Sequence, residues 1–328
     1  MNIENIKSQF PIFSQKINGK PLVYLDSSNS SQKPISVIKR LNDFYKNEFS
    51  NIGRSIHSLA VNATNKFEET RMSVKNFINA KSIDEIIFTK NATESMNLVA
   101  TTFGQQNIEK GDEILVTELE HHSNYVPWHF LRERKGAIIK FAPINEDGDI
   151  ITDELKKLIT SKTKIVAVTH LSNVTGTIVP IKEIVEIAHK KNVPVLVDGC
   201  QAVPHIKVDV IDLDCDFYAF SGHKVYGPTG VGVLYAKKKW LEKLPPYIGG
   251  GAMISEVKKG KIVYASPPEK YESGTMSTAE VIAFKESIKF MESVGMDNLI
   301  KHEDKIKNYR SEERRVGKEC RSRWSPYH

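Results

Sequence analysis

The sequence is poor in cysteine and contains no long apolar run, and each shortage excludes a class of protein. Its three cysteines, Cys200, Cys215 and Cys320, form no Cys-x-x-Cys pair, so neither a disulfide framework nor a zinc site is predicted. No run approaches the roughly 18 consecutive apolar residues that a membrane helix requires. The first residues, MNIENIKSQF, lack the charged-then-apolar order of a secretory signal. We expect a cytoplasmic protein that binds no metal.

Arginine is scarce except at the carboxyl-terminal end. Residues 1–309 contain 35 lysines and 5 arginines, whereas residues 310–328 contain 1 lysine and 5 arginines. This last segment, RSEERRVGKECRSRWSPYH, contributes +3 of the formal net charge of +6, so the remainder is close to neutral and no nucleic-acid partner is expected. The abrupt change predicts that residues 310–328 are a non-native tail, of the kind produced by reading through a sequencing adapter. A solvated basic extension is the alternative.

What the sequence contains is typical of a globular α/β protein. Its 328 residues are 40% hydrophobic and 26% charged, with no internal repeat or low-complexity linker. Amphipathic helical patterns separate several of its short apolar runs, which are EIIF, EILVTE, AIIKFAPI, KIVAVTH, PVLVDG, FYAFSG and VGVLYA. This order predicts a mainly parallel sheet covered on both faces. The last two runs are too close for a helical crossover, so we expect them to pair antiparallel.

Two chemically reactive side chains follow neighbouring runs. Lys224 comes two residues after DFYAFSG, and apolar runs lie on both sides of it, so we expect it to be carried into the interior. Asp198 closes the run PVLVDG, where an acid is either a helix cap or a functional group. Chemistry in such sheets collects at the carboxyl ends of strands. A lysine withdrawn from water there becomes a nucleophilic amine that can form a Schiff base with an aldehyde.

A phosphate site is predicted beside this pair. In KNATESMNLVA, Asn91 and Glu94 have the spacing of a capping box, and the first helical turn offers backbone amides and the Thr93 hydroxyl to an anion. Ser221 and His223 beside the lysine can add phosphate donors. An amine, a carboxylate and a phosphate cradle are the three groups that pyridoxal phosphate (PLP) needs.

The segment ELEHHSNYVPW places His121 and His122 just after the run EILVTE. A lone histidine at such a place is more often a core or capping residue. The sharper interpretation is a flat ring that lies beside a flat cofactor and also relays protons.

Several stretches together resemble the group II cysteine desulfurases, which supply sulfur for iron–sulfur cluster assembly. These stretches are LDSSNSSQKP, GRSIHSL, KNATESMNLVA, ELEHHSNYVPW, THLSNVTGT, VDGCQAVPH, DCDFYAFSGHKVYGPTGVGVLY, GGGAMI and YESGTMST. The resemblance implies a fold-type I PLP enzyme, with a mainly parallel seven-stranded sheet flanked by helices and a small C-terminal α/β domain that is largely missing here. The implied divisions are an N-terminal arm at 1–20, the PLP-binding large domain at 21–290, the start of the truncated small domain at 291–309 and the tail.

The resemblance also implies a cofactor, PLP, and a role for individual residues. The implied roles are the Schiff-base and proton-transferring lysine for Lys224, stacking on the cofactor ring for His121, pairing with the ring nitrogen for Asp198, a bond to the phenolic oxygen for Gln201, phosphate binding for Thr93, Ser221 and His223, phosphate binding from a second subunit for Thr275, and contact with the ring oxygen or the substrate carboxylate for Asn173.

The implied reaction converts L-cysteine to L-alanine and passes a persulfide sulfur to an acceptor protein, in a homodimer with no membrane partner. A selenocysteine lyase or another class V aminotransferase-like enzyme is the first alternative, and a non-catalytic PLP-binding remnant is the second. The family's persulfide-forming cysteine would follow residue 309, and we expect Cys200 and Cys215 to be packing residues. The chain as written is therefore not expected to form a persulfide.

Overall fold

The computed structural model describes residues 2–53 and 55–314 of the chain. Residues 315–328, most of the expected non-native tail, lie outside the described residues. The α-helices of the described part are α1 (Ile3–Lys7), α2 (Ile35–Asn47), α3 (Ser58–Phe77), α4 (Ala92–Asn107), α5 (Val126–Lys135), α6 (Thr152–Leu158), α7 (Ile181–His189), α8 (Ala202–His205), α9 (Val210–Leu213), α10 (Lys238–Lys243), α11 (Thr278–Val294) and α12 (Met296–Arg314). Its strands are β1 (Lys16–Ile17), β2 (Lys20–Pro21), β3 (Ile86–Thr89), β4 (Glu113–Thr117), β5 (Ile138–Ala142), β6 (Thr163–Thr169), β7 (Val195–Asp198), β8 (Phe217–Ser221), β9 (Gly232–Ala236), β10 (Ile254–Lys258) and β11 (Lys261–Tyr264).

Strands β3 to β9 form one seven-stranded sheet in the order β3-β9-β8-β7-β6-β4-β5. The pairs from β5 across to β8 are parallel. Strand β9 runs antiparallel to both β8 and β3, because the segment that links it to β8 is too short to cross the sheet. The seven strands coincide with the seven apolar runs of the sequence. The predicted mainly parallel α/β fold and its antiparallel last pair are therefore confirmed.

Apolar side chains cover both faces of the sheet, as strand β8 illustrates. Its Tyr218 and Phe220 belong to one buried cluster, with apolar residues of α2, α3, α7 and α11. Its Phe217 and Ala219 belong to a second cluster, with residues of α4, α5 and α10. Successive residues of a strand point to opposite faces, so both faces are closed to water. Polar groups of the central strands are then brought together at the strand ends.

The next features are the expected domain boundary and the possibility of a membrane-spanning helix. Helix α11 continues without a break from Thr278 to Val294, across the expected boundary between residues 290 and 291, and the division into domains stays a prediction. Among the described residues, no helix combines the length and the apolar composition needed to cross a membrane.

A buried ion pair holds the β3 edge of the sheet. The guanidinium of Arg71 on α3 is 2% exposed and donates to both carboxylate oxygens of Glu272, at 2.7 and 2.8 Å. Arg71 also donates to the carbonyl of Ile86 at 2.7 Å, and Glu272 accepts the amide of Phe88 at 2.7 Å. The two side chains thus bind the outer backbone groups of β3 and join α3 to the chain that precedes α11.

Removing one member of this pair is predicted to destabilise the protein strongly. In Glu272→Ala, the buried guanidinium keeps only the carboxylate of Glu68, which is 44% exposed, and the Phe88 amide loses its acceptor. We expect the free energy of unfolding to fall by about 3–5 kcal/mol. Urea denaturation followed by circular dichroism measures this loss. The matched control is Glu69→Ala, on the same helix as Arg71, which removes a carboxylate that is 58% exposed from its pair with Lys285. That change is expected to cost at most about 1 kcal/mol. Equal losses in the two variants would contradict the prediction.

Candidate functional site

A cavity of about 230 Å³ lies where β6, β7 and β8 end. Eight of the nine site residues predicted from the sequence line it, namely Thr93, His121, Asn173, Asp198, Gln201, Ser221, His223 and Lys224. The parallel register explains this, since Thr169 at the end of β6 pairs with Asp198, and Asp198 pairs with Ala219 of β8. The structure therefore brings these residues together, while their individual roles stay predictions.

The cavity floor is formed by buried polar residues. Asp198 is 3% exposed and accepts the amide of Cys200 at 2.9 Å, so it caps the chain after β7 and also faces the cavity. Burial raises the pKa of its carboxyl group, while the bonds from Cys200 and the charges of His121 and Lys224 oppose the rise. Gln201 is also buried, and its amide donates to the carbonyl of Ser28 at 2.6 Å.

Lys224 forms part of the cavity wall and is half-buried, so the expectation of a lysine carried into the interior is wrong. The lysine ends a single 3-10 turn, Gly222–Lys224, which we call the lysine turn and which begins as soon as β8 ends. Its apolar neighbours Val225 and Val231 are fully buried and account for the pattern read from the sequence. The lysine side chain instead reaches the cavity, where part of it remains open to solvent.

The first turn of α4 forms another wall. Asn91 caps the helix by accepting the amide of Glu94 at 2.9 Å, as predicted. The carboxylate of Glu94, however, accepts the amide of Lys90 at 2.5 Å instead of that of Asn91, so the expected capping box is only half formed. Asn91 is extended, with φ −172° and ψ 172°, and the carboxylate reaches the preceding amide.

Ser221 connects this helix to the end of β8. Its hydroxyl oxygen accepts the amide of Ala92, the first residue of α4, at 2.8 Å. The close approach depends on Gly232 in β9, because a β-carbon there would lie 2.4 Å from the carbonyl carbon of Asn91. Thr93 is exposed and lines the same cavity as Lys224.

The His121 segment forms the side of the cavity that follows β4. Nδ1 of His121 lies 2.7 Å from the Ser123 hydroxyl and accepts the Ser123 amide at 3.2 Å, so this ring also caps a short 3-10 turn. Although the residue as a whole is exposed, partial burial of its ring lowers the pKa of His121. The charges of Lys224 and His122 act in the same direction, and Asp198 opposes them. The capping and cavity-lining interpretations of this histidine therefore both describe its geometry.

Glu120, which sequence reasoning missed, fixes the start of this segment. Its carboxylate accepts the Thr117 hydroxyl at 2.6 Å, the Asn124 amide at 2.6 Å and the Thr169 backbone amide at 2.9 Å. Burial of the carboxyl group raises the pKa of Glu120 to about 8, against these hydrogen bonds. Its place one residue before the histidine pair was the available signal. Asn29, Ser123, Thr169 and Leu171 also line the cavity without having been predicted.

Thr275 lies apart from the other predicted residues. It is exposed and lines a second cavity of about 190 Å³, together with Lys90, Glu94 and Tyr247. Its expected contribution to the site of a second subunit stays a prediction.

Comparisons with known proteins agree with this fold and site. The aminotransferase class-V family model matches residues 23–321. The chain belongs to this family. A probable cysteine desulfurase of Halalkalibacterium halodurans is 48% identical over 94% of the chain and 76% of its own length. A probable cysteine desulfurase of Mycolicibacterium paratuberculosis is 42% identical over the same share of the chain, which spans only 45% of that relative's length.

Solved structures give the same result for this class-V aminotransferase family member. The cysteine desulfurase CsdA (S-sulfonic acid) from Escherichia coli is 36% identical, with a TM-score of 0.84 over 91% of the chain and 73% of the CsdA chain. The apo cysteine desulfurase from Thermococcus onnurineus NA1 is 34% identical, with a TM-score of 0.89 over 94% of the chain and 75% of its own. The expected family and fold type are thereby confirmed.

The two described cysteines of this class-V family member differ in their distance from the site. Cys200 lines the cavity, and burial, followed by the charge of Asp198, raises the pKa of its thiol. Cys215 is fully buried in the core, and burial raises the pKa of its thiol as well. Since thiolates are the reactive form, neither cysteine is prepared to act as a nucleophile.

A buried histidine beneath the site makes the stability of the protein depend on pH. His170, just after β6, is 6% exposed; its Nδ1 lies 2.9 Å from the Tyr218 hydroxyl, and burial lowers its pKa to about 4. Between this value and the unfolded value of about 6.5, the unfolded chain binds more protons. His170 therefore lowers the free energy of unfolding as the pH falls from about 6.5 to about 4.

We expect His170 to account for about 2 kcal/mol of the change in unfolding free energy between pH 7 and pH 5. Other groups titrate in the same range, so the change in unfolding free energy between the two pH values is compared in wild type and in His170→Asn. Urea denaturation at pH 7 and pH 5 measures it. The exposed His122 serves as the control, and His122→Asn should keep the wild-type dependence. A His170→Asn curve parallel to that of wild type would refute the prediction.

Proposed function

We propose that this protein is a PLP-binding enzyme that removes sulfur from L-cysteine and gives L-alanine. The observation that supports the proposal is the presence of an amine, a buried carboxylate and a helix start in one cavity. Lys224, Asp198 and Thr93 supply these groups. The names of the relatives that cover most of the chain point to the same substrate.

The donor groups of the cavity fit PLP. The Thr93 hydroxyl lies at the start of α4, the Ser221 hydroxyl at the end of β8 and the half-buried His223 on the Gly222–Lys224 turn, where they would hold its phosphate. Burial lowers the pKa of His223, with the charges of Lys224 and Lys33 acting in the same direction. Asp198 would pair with the ring nitrogen, Gln201 with the phenolic oxygen, and His121 with the ring face. When bound, PLP supplies an electron sink that stabilises negative charge at the α-carbon of an amino acid.

The residues of the chain then have distinct tasks. Lys224 would bond the cofactor aldehyde, release it to the substrate amine, and carry the α-proton on Nζ as general base and acid. Asn173, at the exposed side of the cavity, would contact the substrate carboxylate or the ring oxygen. The buried floor at Asp198 would exclude water from beneath the reacting carbon.

Sulfur transfer requires a reactive thiolate, which neither described cysteine is suited to supply. The overall reaction joins L-cysteine and a thiol to give L-alanine and a persulfide, so the substrate C–S bond breaks and an S–S bond forms. The raised thiol pKa values of Cys200 and Cys215 do not suit this role. We propose that the thiol lies outside the described residues, that the persulfide sulfur passes on to an acceptor protein, and that Thr275 acts in the site of a second subunit within a homodimer.

The first test of this function is covalent labelling. Protein incubated with PLP is expected to show a visible absorbance band that is lost on borohydride reduction, because Lys224 is the amine in the cavity. Mass spectrometry of peptides should then place the label on Lys224. Lys224→Ala should lose the band, whereas Lys39→Ala, at an exposed position on α2, should keep it. A band that survives borohydride or persists in Lys224→Ala would show that another group holds the cofactor.

The second test identifies the substrate. Because the described cysteines are not suited to accept the sulfur, dithiothreitol is added with PLP as the sulfur-accepting thiol, and we then expect alanine to form from L-cysteine. Asp198→Asn should lower the rate by about 100-fold because the ring nitrogen loses its anionic partner. Cys200→Ala should change the rate less than about twofold, since its thiol stays protonated. Faster alanine formation from L-selenocysteine indicates a selenocysteine lyase, and transfer to keto acids indicates an aminotransferase. Cofactor binding without any turnover indicates a binding remnant.

A further inference from the structure

The loop before α2, which includes Ser30, Ser31 and Lys33, lies against the lysine turn, although about 190 residues separate the two in sequence. Ser31 is buried, and both its amide and its hydroxyl donate to the carbonyl of His223, at 3.1 and 3.0 Å. The same hydroxyl accepts the amide of Tyr226 at 2.8 Å. Ser30 adds a hydroxyl 3.3 Å from the His223 carbonyl. The loop therefore holds the lysine turn on both sides of Lys224.

Lys33 adds a charged donor to this contact. Its ammonium donates to the carbonyl of His223 at 2.8 Å and to that of Ser31 at 2.5 Å. Pro34 follows it and is buried, and a residue before proline favours an extended conformation. The backbone of Lys33 is thus prevented from joining helix α2, and its side chain turns to the lysine turn.

The environment of Lys33 is costly for a cation. Its side chain is half-buried, and among the residues that the structure describes no carboxylate pairs with it. Burial lowers the pKa of Lys33 to about 8. A half-buried lysine with two carbonyl acceptors and no acid contributes little to stability by itself, which favours a role at the adjacent site.

The carbonyl that Lys33 binds belongs to the peptide unit that also contains the amide of Lys224. Because a peptide unit is planar, fixing the direction of this carbonyl also fixes the plane from which the α-carbon of Lys224 continues. The ammonium of Lys33 is the one charged donor among the four that hold this carbonyl, so it contributes to the direction in which the Lys224 side chain leaves the backbone.

We propose that Lys33 is a positioning residue for Lys224, which it aims into the cavity by holding the His223–Lys224 peptide. The main test of this inference rests on the proposed binding of PLP. Lys33 would act in that function without touching the cofactor or the substrate. Lys33→Met removes the ammonium while keeping most of the side-chain length, and Lys33→Arg keeps a charged donor. Lys39→Met, at the exposed position on α2, is the control for the loss of a lysine.

The test compares two ligands. PLP can bond to Lys224, whereas 4-deoxypyridoxine 5'-phosphate has the same ring and phosphate but no aldehyde. Loss of a hydrogen bond from a charged donor should weaken covalent PLP binding about 10- to 100-fold in Lys33→Met. Binding of the analogue, measured by calorimetry, should change by less than about threefold, because positioning of Lys224 is not needed for it. Lys33→Arg should recover most of the PLP affinity, and Lys39→Met should match wild type.

Two results would overturn the inference. Unchanged covalent PLP binding in Lys33→Met shows that Lys33 does not aim Lys224. Equal weakening of PLP and analogue shows that Lys33 supports the phosphate site or the fold in general.

A measurement on the protein without PLP separates this inference from the proposed function. Competitive acetylation with acetic anhydride reports how readily the Lys224 amine reacts, which includes its accessibility, and Lys33→Met should change this rate about threefold or more relative to exposed lysines. If wild type fails to bind PLP, the proposed function falls, and the acetylation rate alone decides the role of Lys33. An unchanged rate overturns the inference in that case also.

Discussion

The short connection between β8 and β9 is the constraint on which the site depends. The segment between the two strands cannot cross the sheet, so β9 returns antiparallel beside β8 and the intervening turn stays at the edge where β6 and β7 end. Lys224 on that turn is thereby brought to the same cavity as Asp198. The glycine that begins β9 then lets α4 approach closely enough for its first amide to reach Ser221. One backbone geometry assembles an amine, a carboxylate and a helix start.

The groups around this cavity share one electrostatic tendency. Burial raises the pKa of Asp198 and lowers those of His121, His223 and Lys33, so each shift favours the neutral form. Such pKa shifts arise where ionisable groups are withdrawn from water and the protein supplies only some of the charges and hydrogen bonds that would stabilise their charged forms. A cavity of this kind favours a ligand that brings complementary charges, and its groups are already oriented before the ligand arrives.

Much of this arrangement was predictable from the sequence, for identifiable reasons. Strands buried on both faces appear as apolar runs, and side chains such as Asp198 that directly follow them must gather at one edge. The burial of Lys224 was predicted wrongly, because apolar neighbours show where the backbone runs and not where a long side chain points. Ser31 and Lys33 were missed because their contacts with His223 join segments far apart in sequence. No local pattern records such a contact.

The ion pair of Arg71 and Glu272 has a consequence outside the folded monomer. Strand β3 is the terminal strand of the sheet, and terminal strands with free amides and carbonyls are templates on which other chains can assemble. Here the carbonyl of Ile86 and the amide of Phe88 are already bound by these two side chains. A stray strand would have to displace a buried salt bridge before it could pair. The same contact that stabilises this edge therefore also protects it against intermolecular aggregation.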